Sequence, residues 1–148
     1  MIDTKIIINA PPAVVRKAFL NFAALPIYHT RFIDSIVSLS QDTQNAFTPG
    51  DKIRITLSAG TFTASVEANS PTEFAWCGTL GSNWVFHGTH SFKFLPASET
   101  EETTLFVQTE VFGGVLSLLE KVTDGSHMAE KFQSFNEDLK RYVEGGSC

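Results

Sequence analysis

Hydrophobic and polar residues alternate with a period of two along most of the chain between residues 32 and 112. This alternation is typical of strands with one buried face, and turn signals such as Pro49-Gly50 separate the segments. The sequence therefore predicts a meander of antiparallel strands preceded by one strand near the N-terminus. The predicted strands are TKIIINA, FIDSIVSL, DKIRITLS, TFTASVEA, EFAWCGTL, WVFHGTHSFKF and TTLFVQTEVF.

Two stretches change to a helical period. After the first strand, one face of a predicted helix carries Val14, Val15, Ala18, Phe19 and Phe22, and a short turn or second helix follows at Ile27, Tyr28 and His29. A further helical start is predicted by Val115, Leu118, Leu119 and Val122. Near the C-terminus, an apolar stripe predicts a long amphipathic helix that ends at Gly145-Gly146 and must lie on an apolar surface. The stripe consists of Met128, Phe132, Phe135, Leu139 and Tyr142.

The composition limits what this arrangement can be. The 148 residues are 43% hydrophobic, which predicts one globular domain over residues 1–148. Phenylalanine is the unusual feature, with thirteen residues against two tryptophans and two tyrosines. Phenylalanine adds apolar area without a polar group. A small domain with this many phenylalanines therefore has a dense core or an apolar cavity wall.

Charge and cysteine usage exclude several partners. The net charge is −5 and the eleven Lys and Arg residues are scattered, which argues against nucleic acid and anionic membrane surfaces. No apolar run reaches the roughly 18 residues of a membrane-spanning helix, and MIDTKIII lacks the features of a signal peptide. Cys77 and Cys148 form no disulfide framework. We therefore expect a cytoplasmic protein without a membrane span; a homodimer stays open.

Several short strings, in order, resemble the SRPBCC superfamily of START and Bet v-type domains, and in particular its polyketide cyclase/dehydratase-like branch. They are INAPPAVVRKAF, LPIYHTRFIDSI, FTPGDKIRI, FAWCG, GTHSFKF and TLFVQTEVFGGVL, and together they cover about residues 2 to 143. The resemblance implies an α+β helix-grip fold, in which a curved antiparallel sheet of six to seven strands wraps around the C-terminal helix and encloses a hydrophobic cavity. Members of this superfamily include carriers, receptors, cyclases, lyases and co-chaperone modules, so the fold alone does not select a function.

The string VFHGTHSFKF places a histidine among phenylalanines. Alternation puts Phe86, His90, Phe92 and Phe94 on one face of the strand, and the phenylalanines identify that face as the inner one. On the next strand both phases carry apolar residues, and the resemblance favours the phase of Phe106, Gln108, Glu110 and Phe112 as the inner one.

Antiparallel counting from a Phe94–Phe106 pair places His90 opposite Glu110. In an apolar cavity, burial disfavours the carboxylate and a partner charge favours it. A group held between these effects can act as an acid or a base near neutral pH. His90 and Glu110 are therefore the candidate catalytic pair. The alternative is a polar pair that satisfies itself and fixes the register, and a slip of one residue would turn Glu110 outward.

The remaining candidates surround this pair. The resemblance places Tyr28 in a segment that covers one mouth of the cavity, where its hydroxyl can hydrogen-bond a ligand oxygen; the alternative is a ring that packs with its hydroxyl in water. His87 and His90 face opposite sides of a strand and cannot share a metal ion. We expect no metal and no cofactor, since no nucleotide-binding or dinucleotide-binding motif is present. The candidate ligand-binding residues are Phe62, Trp76, Phe92, Gln108, Phe112, Phe132 and Phe135.

These observations predict a protein that binds a hydrophobic small molecule, such as a polyketide-like or other secondary metabolite. The favoured function is cyclisation, dehydration or isomerisation of that molecule by cofactor-free acid–base chemistry, as in a lyase or an isomerase. The alternative is a carrier that binds a lipid or another hydrophobic ligand and leaves it unchanged. A co-chaperone-like interaction module is a third option, although no contiguous outward apolar run supports it.

Overall fold

The computed structural model describes residues 1–42, 46–58, 60–80, 86–114 and 126–145. Within these ranges, seven strands and three helices follow one another in the order the sequence predicts, with a 3-10 turn at Phe22–Ala24 before the second helix. The elements are β1 (Ile2–Ile8), α1 (Pro12–Leu20), α2 (Leu25–Tyr28), β2 (Ile33–Ser38), β3 (Lys52–Leu57), β4 (Gly60–Asn69), β5 (Glu73–Leu80), β6 (Phe86–Pro96), β7 (Thr104–Gly113) and α3 (Ser126–Gly145).

All seven strands form one antiparallel sheet in the order β1-β7-β6-β5-β4-β3-β2. Because the chain closes β1 onto the last strand, β1 and β2 become the two edges, and α1 and α2 bridge between them. The sheet is curled into a half-barrel and α3 lies along its concave face. The predicted α+β helix-grip architecture is confirmed.

The register of the sheet arranges the inward side chains in rows that cross the strands. One row runs through Val66, Trp76, His90, Glu110 and Ile2, and the next through Phe74, Phe92, Gln108 and Thr4. His90 lies directly opposite Glu110, as antiparallel counting from the Phe94–Phe106 pair predicts. The inner phase of β7 is the one that carries Gln108 and Glu110, and both residues are buried.

The phenylalanine core fills one half of the space between the sheet and α3. Phe19 of α1 is its centre, with ring centroids 4.6 Å from Phe92, 5.4 Å from Phe94 and 6.0 Å from Phe135. Val15 lies on the same side of α1 and is fully buried, whereas Val14, predicted on the buried face, is 50% exposed. The inward stripe of α1 is therefore narrower than its sequence suggests, because the helix meets the sheet mainly through Val15 and Phe19.

The apolar stripe predicted on α3 is largely buried, and Phe132, Phe135 and Leu139 have no exposed surface. The helical start predicted around residues 115–122 and the terminal Cys148 lie outside the described residues. Within the described ranges, no helix combines the length and the apolar character that crossing a membrane requires.

Candidate functional site

A cavity of about 310 Å³ lies between the sheet and α3, beside the phenylalanine core that is centred on Phe19 and is called the Phe19 cluster below. This volume lies at the lower end of the range of small-molecule sites, roughly 300–1,000 Å³. It equals the liquid volume of about ten water molecules, which suits a compact ligand better than a long lipid. The described residues that line it are Phe32, Leu57, Phe62, Trp76, Gly78, Thr79, Gly88, His90, Glu110, Phe112 and Met128.

Two glycines account for the empty space. Gly78 on β5 and Gly88 on β6 are direct cross-strand partners, and both line the cavity. A Cβ at Gly78 would lie 2.9 Å from a ring carbon of Phe62, and a Cβ at Gly88 would overlap Oε1 of Glu110. The two glycines therefore let a ring and a carboxylate lie over the strand backbone, where ordinary side chains would otherwise stand.

The His90–Glu110 pair lies in the wall of this cavity. His90 Nδ1 is 2.7 Å from Glu110 Oε2, and the two side chains are 4% and 11% exposed. The contact has the distance of an ion pair but not the geometry of a hydrogen bond, so Oε2 has no hydrogen-bond donor among the described residues. Aromatic rings of Trp76, Phe92 and Phe132, with centroids 4.6 to 4.9 Å away, enclose the imidazole.

A row of amides continues from His90 into the core. His90 Nε2 lies 2.8 Å from Gln108 Oε1, and Gln108 Nε2 donates to Asn136 Oδ1 at 2.7 Å and to the Phe132 carbonyl at 3.2 Å. Asn136 Nδ2 in turn donates to the Thr4 hydroxyl at 2.9 Å, and that hydroxyl donates to the Gln108 carbonyl at 3.3 Å. Both ring nitrogens of His90 thus have partners within the protein.

The predicted ligand-binding residues divide into two groups. Phe62, Trp76 and Phe112 line the cavity. Four others lie behind its wall: Phe92, Gln108, Phe132 and Phe135 are fully buried and are not among the lining residues. Phe92 and Phe135 belong to the Phe19 cluster, because α1 packs against them from inside the sheet. Gln108 contacts His90 instead of the cavity.

Tyr28 does not join His90 and Glu110. Its ring stacks on Tyr142 of α3 with centroids 4.5 Å apart, whereas the His90 ring contacts Phe132. The two helix positions are separated by about 15 Å along the axis. The Tyr28 hydroxyl is buried and no described residue hydrogen-bonds it. Burial, Tyr142 and Asp138 together raise its pKa. The predicted contact between Tyr28 and a ligand oxygen at the catalytic pair does not fit this placement.

A second buried histidine lies next to Tyr28. His29 Nδ1 donates to Asp138 Oδ2 at 2.8 Å, while Nε2 accepts the backbone N–H groups of Phe32 and Ile33, both at 3.1 Å. These bonds join the start of β2 to the C-terminal half of α3. Burial lowers the pKa of His29, and the hydrogen bond and charge of Asp138 oppose that shift.

Sequence reasoning missed Asn136 and the glycine pair. Asn136 stands four residues after Phe132 and therefore shares the buried face of α3, so its spacing was a usable signal. Gly78 and Gly88 fall in the inward phase of their strands, where a glycine indicates close approach of another group. Within the described residues, no three His, Cys, Asp or Glu side chains are grouped as metal ligands would be.

No protein-family model and no curated protein matches this sequence. Many solved structures match the fold. The di-domain ARO/CYC protein BexL from the BE-7585A biosynthetic pathway is 16% identical with a TM-score of 0.65, over 96% of this chain and 45% of BexL. Ara h 8.0201 is 17% identical with a TM-score of 0.65, over 97% of both chains.

A third similar structure is norcoclaurine synthase from Thalictrum flavum in complex with dopamine and hydroxybenzaldehyde. It is 8% identical with a TM-score of 0.65, over 99% of this chain and 87% of the synthase. At such identities the likeness is one of architecture. The chain therefore has the helix-grip fold of the SRPBCC and Bet v 1-like proteins, and the resemblance noted in its sequence is confirmed at the level of fold.

Proposed function

We propose that this protein binds a hydrophobic small molecule in the cavity and promotes its cyclisation, dehydration or isomerisation by proton transfer at Glu110. The observation that carries the proposal is a carboxylate set in the wall of an otherwise mostly apolar cavity and contacted by an imidazole. A carboxylate is costly to bury, and the contact with His90 supplies the compensating charge. One domain, residues 1–148, suffices for this function.

In this proposal the cavity and the pair have separate tasks. The apolar wall excludes water and holds the ligand in a reactive conformer, an effect that can supply several kcal/mol of barrier reduction. Glu110 reaches the ligand and exchanges a proton with it, while His90, next to it in the cavity wall, balances its charge. The cavity limits the ligand to a compact molecule such as a bicyclic ring system.

Two of the similar structures support a chemical role. BexL is an ARO/CYC protein of a biosynthetic pathway, and norcoclaurine synthase is an enzyme in complex with two aromatic compounds. Both carry their chemistry on the architecture that this chain shares. We extend the role to this chain because an imidazole and a carboxylate meet in the wall of its cavity.

The test is deuterium exchange at the carbon next to a ketone. We choose 1-indanone in D₂O, followed by proton NMR, because its bicyclic ring is compact and enolisation needs one proton acceptor beside the carbonyl. The wild-type protein is expected to accelerate exchange, and Glu110→Gln to lose about 100-fold or more of that acceleration while still binding. The matched control is Glu67→Gln, the same substitution at an exposed position of β4.

The second candidate function, a carrier, is favoured by one observation: both nitrogens of His90 are already engaged within the protein. A carrier binds 1-indanone, shown by quenching of Trp76 in a Trp84→Phe background, yet leaves exchange at the buffer rate. Native mass spectrometry then finds a retained, chemically unaltered ligand. Failure to bind any compact apolar probe contradicts both functions.

A further inference from the structure

The side-chain amides that continue from His90 into the core, the amide row, all donate their hydrogen bonds in the same direction. The Phe132 carbonyl can only accept, so the Gln108 amide must turn its NH₂ group towards Phe132 and Asn136. The row ends on a second carbonyl, since the Thr4 hydroxyl takes the Asn136 N–H and donates to the Gln108 backbone oxygen. Every donor from Gln108 onward therefore points away from the cavity.

This direction fixes one proton on His90. With its NH₂ group committed to α3, Gln108 presents Oε1 to the imidazole at 2.8 Å. An amide oxygen accepts and does not donate, so Nε2 of His90 must carry hydrogen. His90 is therefore held as the Nε2–H form or as the imidazolium, and the Nδ1–H neutral form is disfavoured.

The other nitrogen then shares its proton state with Glu110. If Nε2 holds the only imidazole proton, Nδ1 is a bare acceptor 2.7 Å from Glu110 Oε2, and two acceptor atoms at that distance repel each other unless one of them is protonated. Hence His90 is an imidazolium beside a carboxylate, or a neutral imidazole beside a carboxylic acid. In both states the pair carries one proton, on either Nδ1 or Oε2, and has no net charge.

We propose that Gln108 and Asn136 are positioning residues that keep hydrogen on His90 Nε2 and thereby make Glu110 the group of the pair that exchanges a proton with a ligand. The proton exchange with a ligand rests on the proposed function, whereas the proton arrangement of His90 and Glu110 does not. Oε2 of Glu110 is buried against His90 Nδ1, so the part of Glu110 that can meet a ligand is the remainder of its side chain, which lines the cavity. Both nitrogens of His90, in contrast, already face partners within the protein.

The proton balance of one turnover follows. The Glu110 carboxylate takes a proton from a carbon of the ligand, and the pair then holds two protons and a charge of +1 beside the enolate. Return of one proton to another atom of the ligand restores the neutral pair and leaves an isomer. Because the resting pair is neutral, the site favours an uncharged ligand that becomes anionic only during the reaction.

The test is nitrogen-15 NMR of histidine-labelled protein, with long-range proton correlations that show which ring nitrogens carry hydrogen. His29 is an internal reference of the opposite form, because its Nε2 accepts two backbone N–H groups. In the wild-type protein we expect hydrogen on Nε2 of His90 and on Nδ1 of His29. A His90 spectrum with hydrogen on Nδ1 alone overturns the proposal without any variant.

Two substitutions extend the test. Gln108→Leu removes the acceptor, so the imidazole proton should move to Nδ1 and donate to the Glu110 carboxylate. Gln108→Glu places a second carboxylate at Nε2 and should keep hydrogen on both nitrogens. Gln41→Leu, the same substitution at an exposed position, is the matched control, with an unchanged His90 spectrum. An unchanged His90 spectrum in both Gln108 variants contradicts the proposal.

Exchange kinetics separate this inference from the proposed function. Gln108→Leu should bind 1-indanone within about threefold of wild type and lose tenfold or more in exchange rate, since the proton is held at Nδ1. If wild-type protein neither binds nor exchanges 1-indanone, the proposed function fails while the NMR result still decides the proton arrangement. If exchange is fast and Gln108→Leu leaves it unchanged, the function stands and the positioning role is wrong.

Discussion

The molecule contains two buried histidine–carboxylate pairs with nearly the same separation and different surroundings. His29 lies 2.8 Å from Asp138 at the C-terminal half of α3, and His90 lies 2.7 Å from Glu110 at the cavity. At His29 the second nitrogen accepts two backbone N–H groups, so the main chain occupies the nitrogen that Asp138 does not contact. At His90 the second nitrogen faces an amide oxygen, and the carboxylate reaches open space.

The difference shows that distance and burial alone do not identify a site. Both imidazoles are almost fully buried, and both have an acidic partner. The pair at His29 ties α2 and β2 to α3 and leaves no polar atom of the imidazole for a ligand. In the pair at His90, by contrast, both side chains line an apolar cavity that a ligand can enter. This difference supports a structural role for the first pair and the chemical role that we propose for the second.

The largest expected effect is on stability at His29. His29→Ala leaves two backbone N–H groups and the Asp138 carboxylate without their partner, and should lower the free energy of unfolding by about 3 kcal/mol in urea titrations. Asp138→Asn keeps an acceptor for Nδ1 and should cost less than half as much. Where His29→Ala remains folded, its 1-indanone exchange rate should stay near wild type; a loss as large as that of Glu110→Gln would erase the distinction between the pairs.

A smaller effect is expected from crowding the cavity. A Cβ at Gly88 overlaps the Glu110 carboxylate, so Gly88→Ala should displace that group and lower the affinity for 1-indanone by about tenfold, or about 1.4 kcal/mol. Isothermal titration calorimetry measures this affinity. Gly145→Ala, at the end of α3, where no described atom beyond its chain neighbours and the backbone of its own helix lies within 4 Å of the added carbon, serves as a control for substituting a glycine, and its affinity should equal that of wild type.

The pH dependence of stability should follow His29. Burial holds the pKa of folded His29 below its ordinary value of 6.5, so the unfolded chain binds more protons in that window. The stability that neutral, buried His29 contributes is therefore fully present above about pH 6.5 and is lost as the pH falls through the pKa of folded His29. Urea midpoints of wild type should fall between about pH 7 and about pH 5.5, and those of His29→Gln should fall less. If the urea midpoints of wild type and His29→Gln fall equally with pH, groups other than His29 cause the pH dependence.

The smallest effect is expected at Tyr28. Its hydroxyl is buried and has no hydrogen-bond partner in the part of the chain that the structure describes, so Tyr28→Phe should change the free energy of unfolding by no more than about 1 kcal/mol, in the stabilising direction. The stacking on Tyr142 is retained because the ring is unchanged. The rate of 1-indanone exchange should also be unchanged. A tenfold loss would bring Tyr28 into contact with the ligand and contradict the separation from Glu110 described above.

Local patterns predicted much of the fold. The alternation in β6 and β7 identified the inward faces, and the short loop between them allowed the pairing of His90 with Glu110 to be counted. The long stripe on α3 predicted its buried face. These features depend on neighbouring positions along the chain or across one hairpin, which is why a single sequence contains them.

The extent of the cavity was not predictable in the same way. Whether Phe92 and Phe135 face open space depends on α1, whose Phe19 packs against both from a distant part of the sequence. The position of Tyr28 depends on where α2 meets α3, and no local spacing specifies that contact. The inward phase of β7 required the family resemblance, because both faces of that strand carry apolar residues.

The paired glycines make ligand size and proton chemistry separable properties of this fold. A methyl group at Gly78 meets only a ring of Phe62, whereas one at Gly88 meets the carboxylate itself. Substitutions on β5 can therefore reshape the interior in methyl-sized steps while the reactive groups on β6 and β7 stay in register. A redesigned cavity would keep its chemistry and accept a different molecule, provided that the change is confined to the β5 side of the pair.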